Sequence, residues 1–131
     1  PAYVEGGSYD FLIKHGNGVI YVKPSANWIE GALDEIRADV LFLSTATLGL
    51  QKPDFQNAYY AQTVKKVQPR LVIPVHWDNF LLPLSEPIEF LGTPMDDGPA
   101  GFEFIIERLK EDNIQFGVLM PFKSIMLFGK E

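Results

Sequence analysis

The 131-residue sequence predicts an α/β (α+β) fold, a mixed β-sheet with helices on one face. Three observations carry this expectation. Residues 40–43 and 71–75 are short runs apolar at nearly every position, the pattern of strands buried beneath helices on a parallel sheet. The segments between and after them repeat apolar residues at helical spacing. Ahead of them, two β-prone runs flank a strong turn signal. A chain 47% hydrophobic and 13% aromatic, with a net charge of −6, has ample material for one packed domain over residues 1–131 and too little charge for disorder.

The elements follow in order. Residues 9–13 and 19–23 read as a hairpin around His15-Gly16-Asn17-Gly18, because Asn-Gly readily takes positive φ. Lys23-Pro24-Ser25-Ala26 breaks the second strand. Asn27 then suits a helix N-cap, with Glu30 three residues on. Trp28, Ile29, Ala32, Leu33 and Ile36 share one helical face, so a helix is expected to run to Arg37 or Ala38. After the strand at 40–43 and a loop over 44–52, Pro53 and Asp54 open a helix that Pro69 stops. Within it, Tyr59 and Tyr60 should divide between core and surface, since adjacent helical positions point in different directions. The strand 71–75 contains Pro74, which places it at a sheet edge or a strand end. Residues 79–98 form a long irregular segment, in which Asp96-Asp97 reads as a solvated turn before Pro99 opens the next helix. Residues 114–120 and 124–128 close the chain as a hairpin-like pair.

Composition excludes several chemistries. Eleven basic against seventeen acidic residues argue against a nucleic-acid partner. The absence of cysteine removes disulfides, thiolate zinc sites, iron–sulfur clusters and a cysteine nucleophile. With only His15 and His76 in the chain, a complete His-rich metal site within one copy is not expected. No stretch approaches the roughly 18 apolar residues of a membrane span. Pro1-Ala2-Tyr3-Val4-Glu5 lacks the basic and apolar regions of a secretory signal.

In sheets with helical crossovers, ligands gather beyond the carboxyl ends of the strands. That rule selects Ser25, Ser44 and Thr45, and His76-Trp77-Asp78, which should converge on one edge. His76 is the sharpest candidate. A neutral imidazole there binds a metal through one nitrogen while Asp78 or a carbonyl holds the other. Spacing alone favours a core histidine hydrogen-bonded to backbone. Ser25 sits in no nucleophile elbow and reads locally as a turn or capping residue. Asp78 is either a general base or an ordinary loop carboxylate. His15 lies in an exposed turn, and neither Gly6-Gly7 nor Gly16-Asn17-Gly18 links a strand to a helix as a phosphate loop does.

Residues 6–13, Val19-Ile20-Tyr21-Val22 and Ala38-Asp39-Val40-Leu41-Phe42-Leu43 resemble the C-terminal half of a metallo-β-lactamase-fold hydrolase. Val72-Ile73-Pro74-Val75-His76-Trp77-Asp78 is similar to that family's last metal-binding motif, a strand ending in Pro-x-His-Trp. The likeness covers roughly residues 5 to 90. It implies one half of a four-layer αββα sandwich whose active site takes ligands from both halves. It further implies His76 as a ligand to a divalent metal, zinc foremost, and Asp78 orienting its ring. Ser25, Ser44, Thr45 and Trp77 would line the pocket for a small-molecule substrate, an ester, amide or phosphoester. The family's His-x-His-x-Asp-His cluster has no counterpart in this chain. Where the family carries a metal-bridging Asp, this chain has Ser25, so a mononuclear or remodelled site is expected.

The resulting expectation is the C-terminal portion of a metal-dependent hydrolase, inactive as the isolated chain. Its open sheet face would be covered by the other half of the fold or by a second copy in a homodimer. The alternatives are a metal-free binding or structural module of the same fold, and an unrelated small α/β domain. Substrate and compartment stay open.

Overall fold

The computed structural model describes residues 7–129. The opening segment in which no secretory signal was expected lies outside the described residues, as does Gly6 of the Gly6-Gly7 pair. The architecture is α+β, built on a five-stranded mixed sheet whose strand order follows the chain. Strand β1 (Phe11–His15) pairs antiparallel with β2 (Gly18–Lys23). From β2 the sheet continues in parallel through β3 (Val40–Ser44), β4 (Leu71–Val75) and β5 (Gln115–Phe116). The hairpin turn falls where the sequence places it, with Gly16 rather than Asn17 taking the left-handed φ of 54°.

Parallel strands laid down in chain order, joined by right-handed crossovers, send every connection to the same face. Helices α1 (Pro53–Gln62), α2 (Val64–Val67) and α3 (Gly98–Glu111) share one buried cluster with that face. In register across the sheet, Tyr21, Leu41, Val72 and Phe116 form a row beneath them. Tyr59, Val64, Val67 and Ile105 close over this row with no exposed surface.

The helix expected over residues 27–38 is a succession of turns instead. Ala32, Asp34 and Ile36 each donate to the carbonyl three residues back, and Gly31 sits at φ 75°. A left-handed glycine interrupts the four-residue ladder, and glycine is itself a poor helix former. The apolar stripe is partly kept, with Leu33 and Ala38 buried and Trp28 packed 5.0 Å from Phe55. Ile29, placed on that stripe by periodicity, is exposed.

The helix expected from Pro53 to Val67 is broken at Thr63. Its hydroxyl donates to the Tyr59 carbonyl at 2.6 Å, a back-bond that bends helices. Tyr59 and Tyr60 do not divide between core and surface; both are buried. Two neighbours explain this. Tyr59 faces the sheet and donates to the Ser44 carbonyl at 2.7 Å, whereas Tyr60 meets Phe104 of α3 edge-on and donates to Asp112 at 2.8 Å.

The terminal hairpin is also absent from the described residues, where β5 has only two residues and the remainder is irregular. Gly117 donates to the Val72 carbonyl, so the next parallel bond would need an N–H from position 74, and Pro74 has none. Pro74 thus lies inside β4 with its missing donor facing the side where pairing stops. The chain beyond β5 passes Pro74–His76 and returns to the opposite strand ends. There Phe128 packs on Gly18 and Arg70 donates to the Leu127 carbonyl. Phe11 and Ile13, on the sheet face away from the helices, stay about half exposed.

The 3₁₀ turn Leu48–Leu50 seats against the start of α3 so closely that a side chain at Gly49 would strike the Asp97 carbonyl and lie 2.8 Å from the Gly101 nitrogen. Gly49→Ala is expected to lower unfolding free energy by about 3 kcal/mol, measured by denaturant titration. Burial above all holds the Tyr21, Tyr59 and Tyr60 hydroxyls above the usual tyrosine range, with Asp10 adding to it at Tyr21 and Tyr59 and Asp112 at Tyr60. The unfolded chain ionises these groups near pH 10 and the folded chain does not, so it binds fewer protons there. Stability is therefore full below about pH 10 and falls as pH rises beyond it. A tyrosinate-absorbance titration should show these rings ionising together with unfolding.

Candidate functional site at the carboxyl edge of the sheet

Because β2, β3 and β4 run parallel, their carboxyl ends share one edge. Lys23 registers with Leu43, Leu43 with Pro74 and Ser44 with Val75, so Pro24, Ser44-Thr45 and His76 follow on adjacent strand ends. Thr45 N–H donates to the Val75 carbonyl at 3.1 Å, carrying the ladder one step past the strands.

His76 is held from two sides. Its backbone adopts φ 57°, uncommon for any residue with a side chain. Its Nδ1 lies 3.3 Å from the Pro24 carbonyl. A carbonyl only accepts, so Nδ1 is the donor, and in the neutral ring that tautomer leaves the Nε2 lone pair for a ligand. A backbone carbonyl is one of the customary supports of a metal-binding histidine.

Ser44 and Thr45 are buried, and their hydroxyl oxygens have no hydrogen-bond partner among the described residues. Buried hydroxyls normally find one, so the pair marks a polar position next to His76 whose demand the fold does not meet. Below them, the loop after β3 is tied down by Asp96. This residue is only 3% exposed and accepts from the Thr47 N–H at 2.9 Å and the Asp97 N–H at 2.7 Å. The expectation of a solvated Asp96-Asp97 turn is therefore corrected. Asp97 in turn caps α3 by accepting from Ala100 at 3.2 Å.

Of the remaining candidates, Ser25 sits half-buried beside Pro24. Trp77 is buried against Phe90 and Phe102, at 5.2 and 5.5 Å between ring centres. Asp78 forms a bridge with Phe90, while the described bond to the His76 ring comes from Pro24. His15 pairs with Gly18 at the opposite end of β2, away from this edge. A cavity of about 390 Å³ opens beside His76, walled by Val75, Ile88, Met120 and Phe122 with Lys123 at its margin. Two features escape sequence reasoning. The Pro24 carbonyl is backbone and leaves no mark in residue types, and the 119–123 wall comes from a segment that resembles a strand.

Among the described residues no group of three or more His, Cys, Asp or Glu side chains is placed to hold a metal ion.

If the fold imposes the left-handed backbone at position 76, His76→Gly should hold or raise stability by up to about 1 kcal/mol. His76→Val, β-branched, should lose about 2 kcal/mol. Denaturation midpoints of the two variants check this ordering.

No helix among the described residues is long and apolar enough to cross a membrane. Compared with protein-family models, curated proteins and solved structures, the chain finds no match.

Proposed function

We propose that the chain is the C-terminal portion of a metal-dependent hydrolase of the metallo-β-lactamase superfamily, with His76 as one metal ligand through Nε2. The observation that carries this reading is the 3.3 Å contact between His76 Nδ1 and the Pro24 carbonyl, which fixes the tautomer a ligand needs. The strained backbone at His76 and the orphan Ser44 and Thr45 hydroxyls support it, since local rules are broken where a site is built.

The donor set fits a metal only in part. His76 suits a divalent ion of the zinc type, and the described residues do not complete a three-ligand group around it. A bound metal supplies Lewis acidity toward a hydrolysable ester, amide or phosphoester. This chain's residues then hold and orient. Pro24 aims the imidazole, the buried Ser44 and Thr45 back the edge from beneath, and Ser25 and Trp77 shape the surroundings of a small-molecule substrate. Asp78, two residues beyond His76, is bridged through its backbone to Phe90. In this reading the αββα sandwich is completed over Phe11 and Ile13 by the other half of the fold, or by a second copy of this chain.

A metal-free binding or structural module of the same fold is the second reading. It is favoured by Ser25 in place of a bridging carboxylate and by the lack of a three-ligand group among the described residues.

Elemental analysis of the protein that joins this chain to the other half of the fold separates the two. Near-stoichiometric metal in the parent, with affinity about 10–100-fold weaker in His76→Ala, supports the hydrolase. Parent protein without bound metal supports the module. The isolated 131-residue chain should show no chelator-sensitive hydrolysis. If it does, the half-site reading is wrong.

A further inference from the structure

A second cavity, of about 380 Å³, lies on the helix-side face of the sheet where β1 begins and β2 ends. At its base is Lys23, which is only 4% exposed and whose ammonium lies 3.3 Å from Asp10 Oδ2. Lysine is almost never so buried without full pairing. The same Oδ2 accepts from the Tyr21 hydroxyl at 2.8 Å. Both bonds fall on one oxygen, so among the described residues Asp10 Oδ1 keeps its acceptor capacity and the Lys23 ammonium keeps two N–H groups for other partners. Trp28, Leu33 and Ile36 line the opposite wall.

Among the described residues that line this cavity, Lys23 and Asp10 carry the ionic side chains, one of each sign, and they sit side by side. A simple anion attracted by Lys23 would be repelled by Asp10, and a simple cation would meet the reverse. A molecule carrying both charges a few ångströms apart meets an opposite partner for each. It satisfies the outstanding ammonium donors and the free carboxylate oxygen together, and charge-assisted bonds are the strong ones. The apolar wall asks for an apolar body, and the volume is in the range of small-molecule sites.

We propose that this cavity binds a small zwitterion, an α-amino acid with an apolar or aromatic side chain, its carboxylate on Lys23, its ammonium on Asp10 and its side chain against Trp28 and Leu33. The site is distinct from the His76 edge and stands whether or not a metal is bound there. Lys23 reaches it from beneath the sheet's helical cover, whereas its neighbour Pro24 turns its carbonyl to His76.

The test is a set of titrations of the 131-residue chain followed by the Trp28 indole resonance. The probes are L-phenylalanine, 3-phenylpropanoate without the ammonium, and phenethylamine without the carboxylate. Saturable shifts with phenylalanine, at least about tenfold tighter than with either analogue, are expected. Asp10→Asn, at the more exposed of the two partners, should remove the preference for phenylalanine over 3-phenylpropanoate, and Lys23→Met the preference over phenethylamine. Equal affinity for all three probes, or no saturable shift of Trp28 in the folded parent chain, overturns the proposal. Should Lys23→Met fail to fold, the Asp10→Asn comparison decides alone.

Discussion

The structure depends on one constraint, the parallel registration of β2, β3 and β4 in chain order. Each crossover must return to the amino end of the next strand, and handedness sends them all to the same face. That face acquires the helices and the row Tyr21–Leu41–Val72, while the carboxyl ends are left together on one edge. The candidate site is a consequence of this geometry. Tyr59 links the two by spanning from the helical layer to the Ser44 carbonyl, so the core and the edge are braced by a single buried hydroxyl.

Pro74 shows how one residue shapes several features. Its N–H would have been the next donor to β5, and without it pairing ends at Phe116 and the chain turns away. The freed segment then runs past His76, contributing Met120 and Phe122 to the cavity wall. It finally anchors at Phe128, stacked with Arg70 and against Gly18. The irregular C-terminal segment and the second wall of the cavity therefore share one cause.

The strands of the sheet's centre were legible because apolar runs at 40–43 and 71–75 have few other uses, and the hairpin because His15-Gly16-Asn17-Gly18 marks a turn, although the two residues between the strands are Gly16-Asn17. The edge rule named Ser25, Ser44, Thr45 and residues 76–78; the strand register sets 44–45 beside 75–76, and the contact to the His76 ring is made by Pro24 rather than Ser25. The turns over 27–38 were not legible, since Trp28 and Leu33 pack as a helix would while Gly31 alone carries the left-handed break. Burial of Asp96 was equally hidden. A carboxylate in a turn resembles one in water until the partner N–H of Thr47, far away in sequence, is known. The Pro24 carbonyl leaves no sequence trace, although it is the contact that gives His76 its tautomer.

Backbone strain separates structural necessity from something more. Among the described residues, five other than glycine take positive φ: Thr47, Gln68, His76, Asn113 and Phe122. Gln68 caps α2, and Asn113 follows the end of α3, positions where the left-handed conformation satisfies the last carbonyls of a helix. The other three need a different account, and all lie around the carboxyl edge. Thr47 is in the loop after β3, while His76 and Phe122 line one cavity. Strain of this kind persists only where surrounding structure imposes it. Its concentration beside two unmet buried hydroxyls sets this edge apart from the rest of the described fold, including the cavity at Lys23, whose described lining residues take no positive φ. A site preorganised by strain suits a ligand that must be held in one orientation, whereas a cavity with balanced charge suits one that is recognised and released.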